Sequence, residues 1–232
     1  MTAYTYLLIN FFTIIICFIY SFHAKIKFNR YFVPFLLAST LVGSFFIVWD
    51  IWFTYKGIWW FNEKYVTGIK IFNLPLEECL FFICIPFSCV FTYFCLTKFF
   101  NLTFANAFNN IIVFVTTIVC AVVLIKFIDR TYTAVTASFV LITLFYLYFI
   151  VKIDWIGEAS LIYSILMLGF LPVNGVLTGT GLESPIVNYN PNEFLNIRIG
   201  TIPIEDAVYG YTMILWNLYF FKLFTSKRMN NA

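Results

Sequence analysis

Charge is scarce in this chain. Only 11% of its 232 residues are Asp, Glu, Lys or Arg, while 62% are hydrophobic and the mean hydropathy is +0.91. That balance leaves no polar shell for a soluble domain. Histidine occurs once, at His23 in the basic stretch HAKIKFNR. One imidazole cannot build a metal site, and its place beside the first apolar run suits lipid headgroups. The six cysteines (Cys17, Cys79, Cys84, Cys89, Cys95 and Cys120) show no CxxC pairing and read as small buried hydrophobes. Asp-rich clusters that would hold a diphosphate through magnesium are missing. The single Gly-x-Gly, in GTGLES from Gly179, lacks the third glycine and the strand-to-helix context of a dinucleotide site. No lysine stands mid-span in the last apolar run, where a retinal protein needs one; Lys222 lies at its end. The sequence therefore offers no cofactor site, no metal site and no nucleic-acid partner.

What the chain does contain is apolar runs long enough to cross a hydrocarbon core of about 30 Å. They fall at 3–22, 32–54, 76–98, 107–127, 133–151, 157–178 and 203–224. The expected fold is an all-α, multi-pass protein of the cell membrane with about seven transmembrane helices. The first run is too long for a signal-peptide core and lacks a basic lead and a small-residue cleavage site, so it is expected to stay as the first helix. With the N-terminus outside, eight basic residues (Lys25, Lys27, Arg30, Lys98, Lys152, Lys222, Lys227 and Arg228) face the cytoplasm. Six (Lys56, Lys64, Lys70, Lys126, Arg130 and Arg198) face outward, which favours that orientation with the C-terminus cytoplasmic.

Shifting the sequence by 128 positions lays IKIFNLPLEE (69–78) on IRIGTIPIED (197–206) and IWWFN (58–62) on IVNYN (186–190). The identities are Ile58/Ile186, Asn62/Asn190, Ile69/Ile197, Ile71/Ile199, Pro75/Pro203 and Glu77/Glu205. This is the mark of an internal duplication. The halves are then 1–105 and 131–232, with three spans each, joined by a connecting span within 106–130. An even number of crossings separates the third span from the seventh, so the repeats are parallel and both acid pairs reach the same membrane face.

Two acids opening an apolar helix have a plain explanation. A proline at the first helical position followed by glutamates in the first turn complements the helix dipole without any function. The same arrangement twice, in register and on one face, argues for a site, because each charge carried into lipid costs roughly 2 to 3 kcal/mol. Adjacent helical residues point about 100° apart, so one acid of each pair faces inward. Glu77 and Glu205, being identical, are the expected inward pair, with Glu78 and Asp206 orienting them or receiving protons. Two carboxyl groups in a poorly hydrated space share a proton, which makes a general acid. Rings crowd around them, among them Trp59, Trp60, Phe81, Phe82, Tyr189 and Tyr209, and such walls can hold a carbocation against their π faces.

Together, GIWWFNEKYVTGIKIFNLPLEECLFF and PIVNYNPNEFLNIRIGTIPIEDAVYG resemble the two repeats of the membrane lycopene β-cyclases of the heterodimeric and fused type, here on one chain. The resemblance implies a cofactor-free isomerisation of lycopene, or another acyclic or monocyclic carotenoid, within membrane lipid. A carboxylic acid protonates the terminal alkene of the ψ end group, the neighbouring alkene attacks the cation, and proton loss closes a β-ionone ring. The acid and base roles carry over to Glu77, Glu78, Glu205 and Asp206, with Asp50 and Asn174 as additional polar contacts to substrate. The second copy departs after Asp206, where CLFF becomes AVYG. Two alternatives share features with this reading: a proton-coupled transporter, whose acids belong nearer mid-span, and a carotenoid end-group hydratase, which captures water after the same protonation.

Overall fold

Uninterrupted apolar runs with few helix breakers favour helices here, because lipid supplies no partners for free backbone groups. The computed structural model describes residues 3–230. Seven α-helices account for most of them: α1 (Thr5–Tyr20), α2 (Phe32–Tyr55), α3 (Leu76–Phe99), α4 (Asn109–Lys126), α5 (Thr131–Leu144), α6 (Ile156–Leu177) and α7 (Ile204–Asn230). A π-helical turn over Phe145–Ile150 extends α5. The expected spans coincide with these helices to within a few residues except at the long C-terminal end of α7. The stretches Phe28–Tyr55, Leu76–Phe99, Thr103–Lys126, Thr131–Ile150 and Ile156–Leu177 are each long and apolar enough to cross a membrane. α1 is apolar but shorter, at 16 residues. The lipid-facing surface is apolar as well, with Phe12, Val48, Phe114 and Leu168 among its exposed side chains. The chain is a multi-pass membrane protein.

Short strands tie the two halves together at one end of the bundle. β1 (Trp59–Phe61) pairs antiparallel with β4 (Val187–Tyr189), setting Trp59 against Tyr189 and Phe61 against Val187. The flanking bonds are reciprocal: Asn62 N–H donates to the Ile186 carbonyl at 2.8 Å, and Asn190 N–H to the Ile58 carbonyl at 2.8 Å. Equivalent residues exchanging equivalent bonds is the signature of a twofold, here relating two halves of one chain.

Each half also carries a small hairpin that leads into its acid-bearing helix. β2 (Lys70–Ile71) pairs with β3 (Leu74–Pro75) before α3, and β5 (Arg198–Ile199) with β6 (Ile202–Pro203) before α7. The first turn residue is left-handed in both, Phe72 at φ 56° and Gly200 at φ 61°. Only the glycine adopts that conformation without steric cost. Pro75 and Pro203 stand one residue earlier than expected: they end the strands, and the helices begin at Leu76 and Ile204. Pro75 is still extended, at ψ 146°, and helical geometry starts only after it.

α1 packs along α3 and α2 along α7, while α4 packs on α5 and connects the halves. At the opposite end of the bundle, α6 starts against the 310 turn Thr103–Phe108. A Cβ on Gly157 would lie 2.0 Å from the Ala105 carbonyl oxygen. That approach lets Asn109 and Asn106 side chains accept from the Gly157 and Glu158 amides at 2.6 and 2.8 Å, satisfying a helix start in a setting with little water.

Candidate active site

The hairpin-to-helix junctions bring the four acids to one end of the bundle, and they divide by role within each pair. Glu77 is fully buried and accepts from the Thr67 amide at 2.7 Å. Glu205 accepts from the Leu195 amide at 2.7 Å and from the Thr133 hydroxyl at 2.6 Å. Both bonds reach back ten residues to the loop ahead of the hairpin. The pair expected to face inward thus anchors backbone, and neither residue lines the cavity between the halves. A helix turns about 100° per residue, so the next acids point elsewhere. Glu78 and Asp206 are the acids at the cavity wall.

Glu78 accepts from the Tyr6 hydroxyl at 2.6 Å, and the Asp50 carboxyl lies beside it. Asp50 also accepts from the Trp59 indole N–H. Asp206 accepts from three neutral donors instead, Tyr132 at 2.6 Å, Tyr189 at 2.7 Å and Asn174 at 2.8 Å. Asp50 and Asn174 are therefore brought directly onto the second acid of each pair. Burial, with the Asp206 carboxyl beside it, pushes the Tyr189 phenol well above its ordinary range, so this loop hydroxyl remains a donor. Lys70 and Arg198 do not oppose the acids: Lys70 pairs with Glu63 at 2.8 Å, and Arg198 lies over Phe194 at 4.8 Å. Among the described residues no ion pair reaches the four acids.

Beneath the acids lies a cavity of about 290 Å³ between α1, α3, α6 and α7. Its lining descends α3 through Glu78, Phe81, Ile85, Ser88 and Thr92. Phe81, Tyr189, Tyr209 and Asn174 contribute to its walls as expected of substrate contacts. Phe82 does not: it is buried against α2, 6.2 Å from the Phe46 ring. Trp60 also turns away, being 46% exposed, because strand neighbours alternate faces and Trp59 takes the inner one. The Trp59 ring stands edge-on to Tyr132 at 5.1 Å and to Tyr189 at 6.2 Å. The Tyr209 hydroxyl is buried without a hydrogen-bond partner among the described residues.

Tyr6 and Tyr132, which contact the two cavity acids, were not singled out in the sequence. The signal was present, since Thr5-Tyr6 recurs as Thr131-Tyr132, but at a spacing of 126 rather than 128 residues. Acids buried among phenols, with an apolar and aromatic cavity below, can give a proton to an apolar molecule, hold the resulting cation and take a proton back.

Residues 3–96 and 129–224 match a family described as lycopene cyclase, as two repeated segments. No curated protein and no solved structure matches the chain.

Proposed function

The chain belongs to the lycopene cyclase family, and we propose that it is a β-cyclase that closes the ψ end groups of lycopene to β-ionone rings. The single observation that carries the chemistry is the placement of Glu78 and Asp206 on one aromatic-walled cavity with unlike partners. Glu78, with the Asp50 carboxyl beside it, donates a proton to the inner, hydrogen-bearing carbon of the terminal alkene. A tertiary cation forms, the neighbouring alkene supplies the electron pair for the new carbon–carbon bond, and the charge moves to the ring. Asp206, surrounded by three neutral donors, takes the proton from the polyene-bearing ring carbon beside the cation, and the β double bond forms.

One proton enters and one leaves, with no net change in electrons, so the reaction is an isomerisation. Trp59, Tyr132 and Tyr189 present π density to the cation, a contact worth about 2 kcal/mol when desolvated. The Tyr209 hydroxyl lines the same cavity without a hydrogen-bond partner among the described residues. Glu77 and Glu205 serve as anchors that hold the acid-bearing turns. In this reading 1–105 and 131–232 act as the two repeats around 106–130, and the N-terminus faces outward.

Expression in a lycopene-accumulating host, with pigments separated chromatographically, tests the proposal. γ- or β-carotene is the expected product. Hydroxylated acyclic pigment would identify a hydratase, and unchanged lycopene beside well-expressed protein would refute both.

A further inference from the structure

The duplication builds two equivalent seams between the halves, and side chains close only one of them. Corresponding residues follow from shared bonds. Phe53 O accepts from the Ile58 amide as Leu177 O accepts from that of Ile186, and Asp50 contacts one inner acid as Asn174 does the other. Phe45 therefore corresponds to Gly169 and Trp49 to Val173. The recurrence of Thr-Tyr in α1 and α5 makes Thr13 correspond to Phe139.

At the seam between α2 and α5, Phe139 packs at 5.2 Å on Phe45 and 5.3 Å on Trp49. At the seam between α1 and α6, the counterparts are Thr13, Gly169 and Val173, and all three line the cavity. A Cβ on Gly169 would meet no atom within 4 Å. Gly169 is also exposed, next to the lipid-facing Leu168, so the cavity opens toward the surface there.

We propose that the α1–α6 seam is a slot through which the polyene chain of the substrate extends into the bilayer while one end group sits at the acids. Thr13 and Gly169 are the specificity-determining residues that keep the slot open. This rests on the cyclase reading. An extended carotenoid is longer than the lined depth of the cavity, so part of the chain must leave it, and the three positions that carry rings at the closed seam carry none here. The lining from Glu78 to Thr92 spans about 21 Å along α3, enough to align the first isoprene units with the helix. With the other seam filled, the enzyme seats one end at a time, and a second ring requires the molecule to leave and re-enter reversed.

The test installs the residues of the closed seam in the open one. Gly169→Phe and Thr13→Phe are each expected to cut lycopene conversion about tenfold or more, with graded losses through Gly169→Ala and Gly169→Val. Thermal melting in detergent should stay at the wild-type value across the series, whereas a merely structural role would move activity and melting together. Leu168→Phe, on the adjacent lipid-facing position, should convert lycopene like the wild type. Wild-type conversion by Gly169→Phe, or by Thr13→Phe should the glycine variant fail to accumulate, overturns the slot. Losses that track melting overturn it equally. A wild-type protein that forms no cyclic pigment refutes the cyclase reading itself, a separate outcome.

Discussion

Glu77 and Glu205 make the same bond in the two halves, each accepting at 2.7 Å from the amide ten residues before it. They fasten the loop ahead of each hairpin to the helix that follows. Removing either carboxyl orphans a part-buried N–H. Glu77→Ala and Glu205→Ala should each lower stability by about 1 to 3 kcal/mol, seen as a lower melting temperature in detergent. Glu77→Gln retains an accepting oxygen and should lose less than Glu77→Ala.

The neighbouring acids should behave in the opposite way. Glu78→Gln and Asp206→Asn keep shape while removing the proton donor or acceptor. Each is expected to reduce conversion of lycopene by about 100-fold or more with the protein still folded. Pigment chromatography alongside a melting curve separates this result from the behaviour of the anchors.

Tyr6 and Tyr132 each donate to an inner acid at 2.6 Å. Tyr6→Phe and Tyr132→Phe should cost about 1 kcal/mol of stability apiece and lower turnover by about tenfold, through misplacement of the acid rather than its loss. Matched measurements of melting and product formation check both effects.

Gly157 admits no side chain, since a Cβ there would collide with the backbone at Ala105. Gly157→Ala should destabilise the protein by about 1 to 3 kcal/mol or prevent its accumulation, although it lies far from the acids. The level of folded protein by size-exclusion chromatography reports this directly.

Phe72 occupies the left-handed turn position that Gly200 fills in the second half, and it is 84% exposed. Phe72→Gly should raise stability by roughly 1 kcal/mol, because a non-glycine residue is strained there. A higher melting temperature is the expected reading.

The helices were legible because lipid imposes a minimum length on an apolar run, and the duplication was legible because Pro and Glu are rare in such a chain. The facing of the acids was not. Identity between repeats picked out Glu77 and Glu205, but identity there reflects the anchoring bond that both halves need. The acids at the cavity differ, Glu78 against Asp206, because their partners differ: a carboxyl from Asp50 on one side and an amide from Asn174 on the other. Trp59 and Trp60 could not be told apart without the register of β1 on β4. The open and closed seams were hidden for a related reason, since the helices of the two repeats correspond at three different spacings.

Glu78 and Asp206 sit at the same end of the bundle, in the first turns of α3 and α7. In the proposed cycle the hydrogen ion spent on the substrate and the one recovered from it therefore stay near one face of the membrane. Such a cycle moves no net charge across the bilayer, and ring closure is expected to be electrically silent, indifferent to transmembrane voltage.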